Sequence, residues 1–444
     1  MHGPSPGRGL ERSYRIGEEA EHVKLVVIGA GSSYTPELIH GVIQHYEALP
    51  FREVCLMDVD ERRLEILAGL SQRMLGKAGL SIAVTATTDR RRALEGATFV
   101  NCLIRVGGMD ARILDERIPL KYGVVGQETT GPGGMMKALR TIPVVLDLAR
   151  DVVEVCPQAW LINYTNPSGI VAEALGKHSA VRFVGLCSGP KGWIAAILSR
   201  MGRVSTPVDP ARVNVDWVGL NHLGFAIRVW VDGQDVTAQA IEAVADHWSV
   251  DAEWLRALGA IPASYLRYYY HRTRVVQEAS APGVRTRGEQ VKEIEAELLR
   301  QYADPHLAEK PPLLAQRGGG GYSDVAFAAM RAIHYNTGER QIVQVLNQGA
   351  VDGLPDDASV EVPCLVDRTG PHPLRMGALP LPIRGLVQAV KAYESLTVQA
   401  AVEGSQRVAM QAAMAHPLVP SWEVAKPLLE ELLVANRPWL PWAV

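Results

Sequence analysis

The stretch Lys24-Leu-Val-Val-Ile-Gly-Ala-Gly-Ser-Ser-Tyr-Thr-Pro-Glu-Leu38 constrains this chain more than any other. An apolar strand runs into Gly29 and Gly31, a helix opens near Ser33, and a second apolar run, Glu53-Val-Cys-Leu-Met-Asp58, ends on an acid. A dinucleotide site needs that order. Gly29 permits the tight turn, Gly31 lets a pyrophosphate approach the backbone, and Ser32 and Ser33 stand at a helix N-terminus whose N–H groups face negative charge. Asp58 can accept the ribose hydroxyls of NAD and would repel a 2'-phosphate. Tyr34 occupies the place of the usual third glycine, so the helix must stand further from the strand or pack differently. The competing reading is a generic glycine-rich turn with a capping acid.

At 444 residues the chain exceeds one compact core and suggests two domains. A hydrophobic content of 47% with a net charge of -3 fits a soluble globular protein and makes nucleic acid an unexpected partner. No apolar stretch approaches the roughly 20 residues of a spanning helix, so no membrane partner is expected. Five cysteines without paired spacing point to reduced thiols and a cytoplasmic location.

Apolar runs at 24–29, 53–58, 81–87, 98–104, 160–164 and 182–187 read as strands, and 34–47, 60–77, 135–156, 168–178 and 191–201 as helices. The alternation predicts an α/β fold, with an N-terminal Rossmann-like, doubly wound parallel sheet of the lactate/malate dehydrogenase kind and ligands at the strand carboxyl ends. Residues 1–22 read as a flexible leader, 23–204 as the nucleotide-binding domain, and 205–444 as a mixed α+β domain for substrate, metal and oligomerisation. Within the latter, 213–231 reads as a strand pair broken at Gly219-Leu-Asn-His222. Helices dominate 236–304 and the tail 381–434, and Arg317 to Gly321 form a glycine-rich loop.

Cys187, at the end of the sixth strand, and His222 could hold a divalent transition metal with positions left open for substrate oxygens. Their separation of 35 residues lacks structural-zinc spacing, and on spacing alone an inert buried cysteine and a core histidine fit better. Tyr265, Tyr268 and Tyr269 share one helical face, which suits aromatic packing; a nearby cation could instead make one of them a base. Among the arginines, Arg105, Arg112, Arg285 and Arg287, the last two can pair with Glu289 or Glu293 or converge on a phosphate ester.

Several motifs in register carry a resemblance. Gly29 to Glu37, Ile118 to Gly131, Asn163-Tyr-Thr-Asn-Pro-Ser-Gly169, Gly185-Leu-Cys187, Gly219 to His222, Tyr265 to Tyr269, Glu361-Val-Pro-Cys364 and Ala415-His-Pro417 resemble glycoside hydrolase family 4, most closely its NAD- and metal-dependent 6-phospho-β-glucosidases. The resemblance spans roughly residues 23 to 435. It implies hydrolysis by transient NAD oxidation at C3 of the sugar, deprotonation at C2, elimination of the aglycone, water addition and return of the hydride, outside the usual two-carboxylate scheme. Tyr265 matches the base, and Cys187 and His222 match the ligands of a divalent ion, usually manganese. Arg112 and Arg285 match positions facing the 6-phosphate, and Asn166 and Glu128 match substrate contacts. The implied partners are a phosphorylated disaccharide or glycoside and further copies of the chain, as a homodimer or homotetramer.

One position departs from the family pattern. α-Acting members carry Asp after the cysteine and β-acting ones Asn, whereas this chain reads Cys187-Ser188-Gly189-Pro190. Ser188 cannot replace the general acid that Asp supplies, which argues against the α-specific mechanism. The alternatives are a family 4 glycosidase acting on a non-phosphorylated or α-linked sugar and, more distantly, a lactate/malate-type dehydrogenase.

Overall fold

The computed structural model describes residues 23–202, 212–245, 252–318 and 320–443. The expected leader, residues 1–22, and the expected boundary between 204 and 205 lie outside the described residues. The first half alternates as β1 (Val23–Ile28), α1 (Thr35–Gln44), β2 (Phe51–Met57), α2 (Glu61–Lys77), β3 (Ala83–Thr87), α3 (Arg90–Leu94), β4 (Phe99–Cys102), α4 (Gly108–Lys121), α5 (Gly131–Val155), β5 (Trp160–Asn163), α6 (Ser168–His178), β6 (Arg182–Gly185) and α7 (Gly189–Arg200). All six residues of β1, Val-Lys-Leu-Val-Val-Ile, are buried, as a parallel strand covered by helices on both faces requires. The strands run in the order β3-β2-β1-β4-β5-β6, so the topology reverses between β1 and β4 and opens a crevice at their carboxyl ends.

Two helices escaped the sequence pattern, α3 and α4. In α4, Gly-Met-Asp-Ala-Arg-Ile-Leu-Asp-Glu-Arg-Ile-Pro-Leu-Lys, the buried positions include Arg112, Asp115 and Glu116. A helix whose inward face is charged leaves no apolar stripe to read.

The sheet does not stop at β6. Strands Glu339–Leu346, Ser359–Asp367 and Gly370–Pro373, unforeseen in the sequence, extend it antiparallel to nine strands. Nor does α1 pack as a standard helix after a third glycine would. Tyr34, at its N-cap, sets its ring edge-on to Tyr322, 5.8 Å away at 87°, at the start of helix Tyr322–Tyr335.

Beyond residue 212 the expected strand pair forms as β7 (Val213–Leu220) and β8 (Leu223–Val231), joined by Asn221 and His222 alone. A short strand, Ile261–Pro262, pairs with β8 in the register Ile261↔Ala226 and Pro262↔Phe225. The Ala263 N–H then donates to the Gly224 carbonyl at 2.9 Å. That register carries Tyr265 back beside the hairpin tip. Three helices, Leu381–Glu403, Gln406–Ala415 and Trp422–Asn436, form the expected helical tail.

Candidate active site

A cleft of about 1430 Å³ opens at the switch point, with Gly29, Gly31, Ser32 and Asp58 on one wall and His222 and Tyr265 on another. Gly29 has φ of 90°, and a Cβ there would stand 2.9 Å from the Leu103 carbonyl oxygen. Its N–H and that of Ala30 both donate to the Met57 carbonyl, which ties the turn to the end of β2. Gly31 serves Asp58 first. A Cβ on Gly31 would lie 2.7 Å from the Asp58 carboxylate, and the Gly31 N–H donates to Asp58 Oδ2 at 2.7 Å. With the Asp60 N–H on Oδ1 at 3.0 Å, the carboxylate is held at the lip of the cleft.

Ser33 does not line the cleft. Its side chain is fully buried and donates to Glu295 Oε1 at 2.9 Å, while its carbonyl accepts from the Tyr302 hydroxyl at 2.8 Å. Glu295 also takes Arg317 Nη2 at 3.1 Å and faces Arg63 Nη2 at 3.8 Å. Arg63 Nε donates in turn to the Gly31 carbonyl at 2.7 Å. Glu295, which the sequence did not single out, thus links the nucleotide turn to the second half of the chain.

At the floor, Glu128 accepts from Arg105 and from Lys137 Nζ at 2.6 Å, and forms an ion pair with Arg112 Nη1 at 2.9 Å. Arg112 Nε donates to Glu116 Oε1 at 2.8 Å, and Glu116 Oε2 accepts the Gly288 N–H at 2.6 Å. Three cations against two carboxylates leave surplus positive charge in a place poorly reached by water. Despite its burial, Glu128 is held well below the usual carboxylate range by Arg105, Lys137 and Arg112. Burial, followed by the charge of Arg105, brings Lys137 down to about 7. Lys137 was missed in the sequence, although a lysine near the start of an otherwise buried, mainly apolar helix could have signalled it.

Arg285 reaches the cleft rim, but its guanidinium is exposed and paired with Glu293 at 2.6 Å, as the simpler sequence reading expected. Asn166 lines the cleft beside Tyr322, after a strand end where its Nδ2 donates to the Tyr164 carbonyl at 3.2 Å.

His222 sits at the hairpin tip with φ of 64°, a left-handed backbone uncommon for residues other than glycine. Its ring stacks on Tyr265, and its Nδ1 lies 3.0 Å from Thr129 Oγ1. Loss of hydration lowers the ring to about 3, so it is neutral. Cys187, almost wholly buried, accepts the Gly189 N–H at 3.3 Å and a bond from the Asn221 side chain. Burial first and the Glu361 carboxylate second push its thiol up to about 12. Burial also lifts the Tyr265 phenol well above its ordinary value, and Cys187 adds to that. The ring and phenol thus line one end of the cleft, and the Cys187 thiol, which is not part of the lining, lies close enough behind them to act on the phenol. Glu361, another residue the sequence did not single out for a role, steadies this end: it accepts from Trp217 Nε1 at 3.0 Å, Asn221 Nδ2 at 3.1 Å and Gln344 Nε2 at 2.8 Å.

The tyrosines do not share one face as expected. Tyr265 lies on the 3-10 turn Ser264–Leu266, and it and Tyr268 line the cleft, whereas the Tyr269 hydroxyl faces His416 Nε2 at 3.5 Å. All five cysteines are free and buried. Among the described residues no group of three or more His, Cys, Asp or Glu side chains gathers as a ready-made metal cage.

Known proteins match along nearly the whole chain. The model of family 4 glycosyl hydrolases matches residues 24–204, and that of the family 4 C-terminal domain matches 217–419. A probable 6-phospho-β-glucosidase of Bacillus subtilis is 46% identical over 94% of this chain and 97% of its own. The 6-phospho-β-glucosidase of Thermotoga maritima, solved with manganese, NAD+ and glucose-6-phosphate, has a TM-score of 0.86 and 34% identity over 94% of this chain and 99% of that one. A lactate dehydrogenase from a deep-sea metagenome library, at 16% identity and a TM-score of 0.53, shares the fold alone. The chain belongs to the family 4 glycosyl hydrolases.

Proposed function

We propose that the chain hydrolyses 6-phospho-β-glucosides with NAD and a divalent metal, foremost manganese. The observation that carries the reading is the neutral imidazole of His222 stacked on Tyr265 beside the Cys187 thiol, facing a nucleotide turn across the same cleft. The residues fit both groups. Asp58, fixed by two N–H donors, suits a ribose diol and repels a 2'-phosphate. Cys187 and His222 supply one sulfur and one nitrogen, and with no further protein cage among the described residues the remaining positions suit sugar oxygens. Bound there, NAD would supply reversible hydride acceptance, and a metal held by Cys187 and His222 would supply Lewis acidity toward sugar oxygens.

Tyr265 then takes the C2 proton onto its Oη, which is possible only where neighbouring positive charge brings the phenol down from its raised state. Asn166 and Glu128 hold sugar hydroxyls, and the surplus charge of Arg105, Arg112 and Lys137 draws the 6-phosphate, with Arg285 at the rim. Ser188 provides no carboxylic acid, so the aglycone leaves by elimination without the acid of the α-acting pattern. A dehydrogenase is less well supported: the histidine of the cleft partners Thr129, where lactate-type chemistry needs a carboxylate. On this reading the enzyme works in the cytoplasm as a homodimer or homotetramer. Among the described residues no helix is long and apolar enough to cross a membrane.

The test is a panel of p-nitrophenyl β-glucoside, β-galactoside, their 6-phosphates and the α-6-phosphate, with NAD and manganese under reducing conditions. The 6-phospho-β-glucoside should exceed its unphosphorylated counterpart by roughly a hundredfold or more in kcat/KM. Equal turnover of the unphosphorylated or α-linked substrate would overturn the substrate assignment.

A further inference from the structure

The loop between α4 and α5 sets Gln127 and Thr129 against His222 Nδ1. The Thr129 N–H donates to Gln127 Oε1 at 2.6 Å. A backbone N–H is a donor only, so the amide atom facing it is the oxygen, whatever the orientation of amides elsewhere. Thr129 Oγ1 lies 2.9 Å from that same oxygen. An amide oxygen has no proton to give, so the hydroxyl donates. Its single proton committed, Thr129 Oγ1 meets His222 Nδ1 at 3.0 Å as an acceptor. Nδ1 must then bear the hydrogen, and the free lone pair belongs to Nε2.

We propose that Gln127 and Thr129 are positioning residues that lock metal-free His222 as its Nδ1–H tautomer and so present Nε2 to a divalent cation. The assignment of that cation to His222 rests on the function proposed above; the tautomer does not. Two other contacts fix what the tautomer alone would leave free. Stacking on Tyr265 sets the plane of the ring, and the bond from Asn221 to Glu361 holds the hairpin tip that carries it. Glu128, between Gln127 and Thr129 in sequence, bonds to the three cations of the cleft floor instead. One tripeptide therefore orients the imidazole and anchors the cation cluster. An outer partner of this kind raises the basicity of a ligating imidazole and restricts its rotation, and its loss typically costs ~10–100-fold in metal affinity.

The experiment uses the full-length enzyme, stripped of metal and labelled with 15N-histidine, with the His222 signal identified by its absence in His222→Asn. Two-bond proton–nitrogen correlation spectra should show the Nδ1–H pattern in the wild type. Thr129→Val, which keeps the side-chain shape and removes the acceptor, should shift His222 toward Nε2–H. It should also weaken Mn2+ binding, followed by the electron paramagnetic resonance of free Mn2+, by roughly 10–100-fold. Thr129→Ser restores the hydroxyl and should restore both readouts, which separates the relay from a folding defect. A wild type in the Nε2–H form, or a folded Thr129→Val with unchanged tautomer, overturns the relay. A wild type with the Nδ1–H pattern that takes up no Mn2+ upholds the relay and overturns the metal role of His222.

Discussion

The rings of His222 and Tyr265 lie face to face, with centroids 3.8 Å apart and planes 5° from parallel. The stack depends on the ring of Tyr265 and not on its hydroxyl. Tyr265→Phe should therefore leave Mn2+ affinity and thermal stability nearly unchanged while lowering kcat by about 10²–10⁴-fold, the usual contribution of a general base. Parallel losses of metal affinity and turnover would show that the phenol serves the site structurally.

Lys137 offers a proton count. Burial and the neighbouring arginines hold its ammonium near pH 7, so part of the population is neutral just above neutrality. A phosphate dianion in the cleft favours the charged form and raises that value, so binding of glucose 6-phosphate at pH 7.5 should take up a fraction of a proton. The uptake should fade toward pH 6, where Lys137 is already charged. Calorimetry in buffers of different ionisation enthalpy measures it, and Lys137→Met should abolish most of it.

Glu295 couples the nucleotide turn to Arg317 and Arg63. Glu295→Gln keeps the shape and removes the charge that both arginines face. The Kd for NAD should rise about tenfold, equivalent to roughly 1.4 kcal/mol. Ser33→Ala, which removes one bond and leaves the ion pairs, should have a smaller effect, measurable by quenching of intrinsic fluorescence.

Asp115 and Arg140, both with side chains fully buried, form a two-pronged pair at 3.0 and 2.5 Å. Arg140→Met leaves a buried carboxylate alone, and urea unfolding should show a loss of about 3–5 kcal/mol. Arg140 Nε also holds the Val106 carbonyl at 2.9 Å, so the same substitution should loosen Arg105 and weaken phosphate binding.

Strands β1, β4 and β5 were legible because parallel strands buried on both faces leave unbroken apolar runs, and the observed ends of β1 to β6 fall within two residues of those expected. Helix α4 was not, because ion pairs fill its inner face. Strands 339–373 were also missed, and the wider sheet with them. In the candidate site, spacing could not bring Cys187, His222 and Tyr265 together; family resemblance named them. Tyr265 meets His222 through tertiary register, Ile261 against Ala226, which no local pattern encodes. Gly31 shows a subtler gap. The motif read it as room for a pyrophosphate, and the fold uses the absence of its side chain to seat Asp58.

The central claim is that the glycosidic bond breaks by elimination across C1 and C2 after reversible oxidation at C3. The most direct measurement is hydrolysis of p-nitrophenyl 6-phospho-β-glucoside in D2O with NAD and Mn2+, followed by NMR of the glucose 6-phosphate formed. The account predicts deuterium at C2, original hydrogen at C3 and no accumulation of NADH. Product that retains its hydrogen at C2 in full would contradict it.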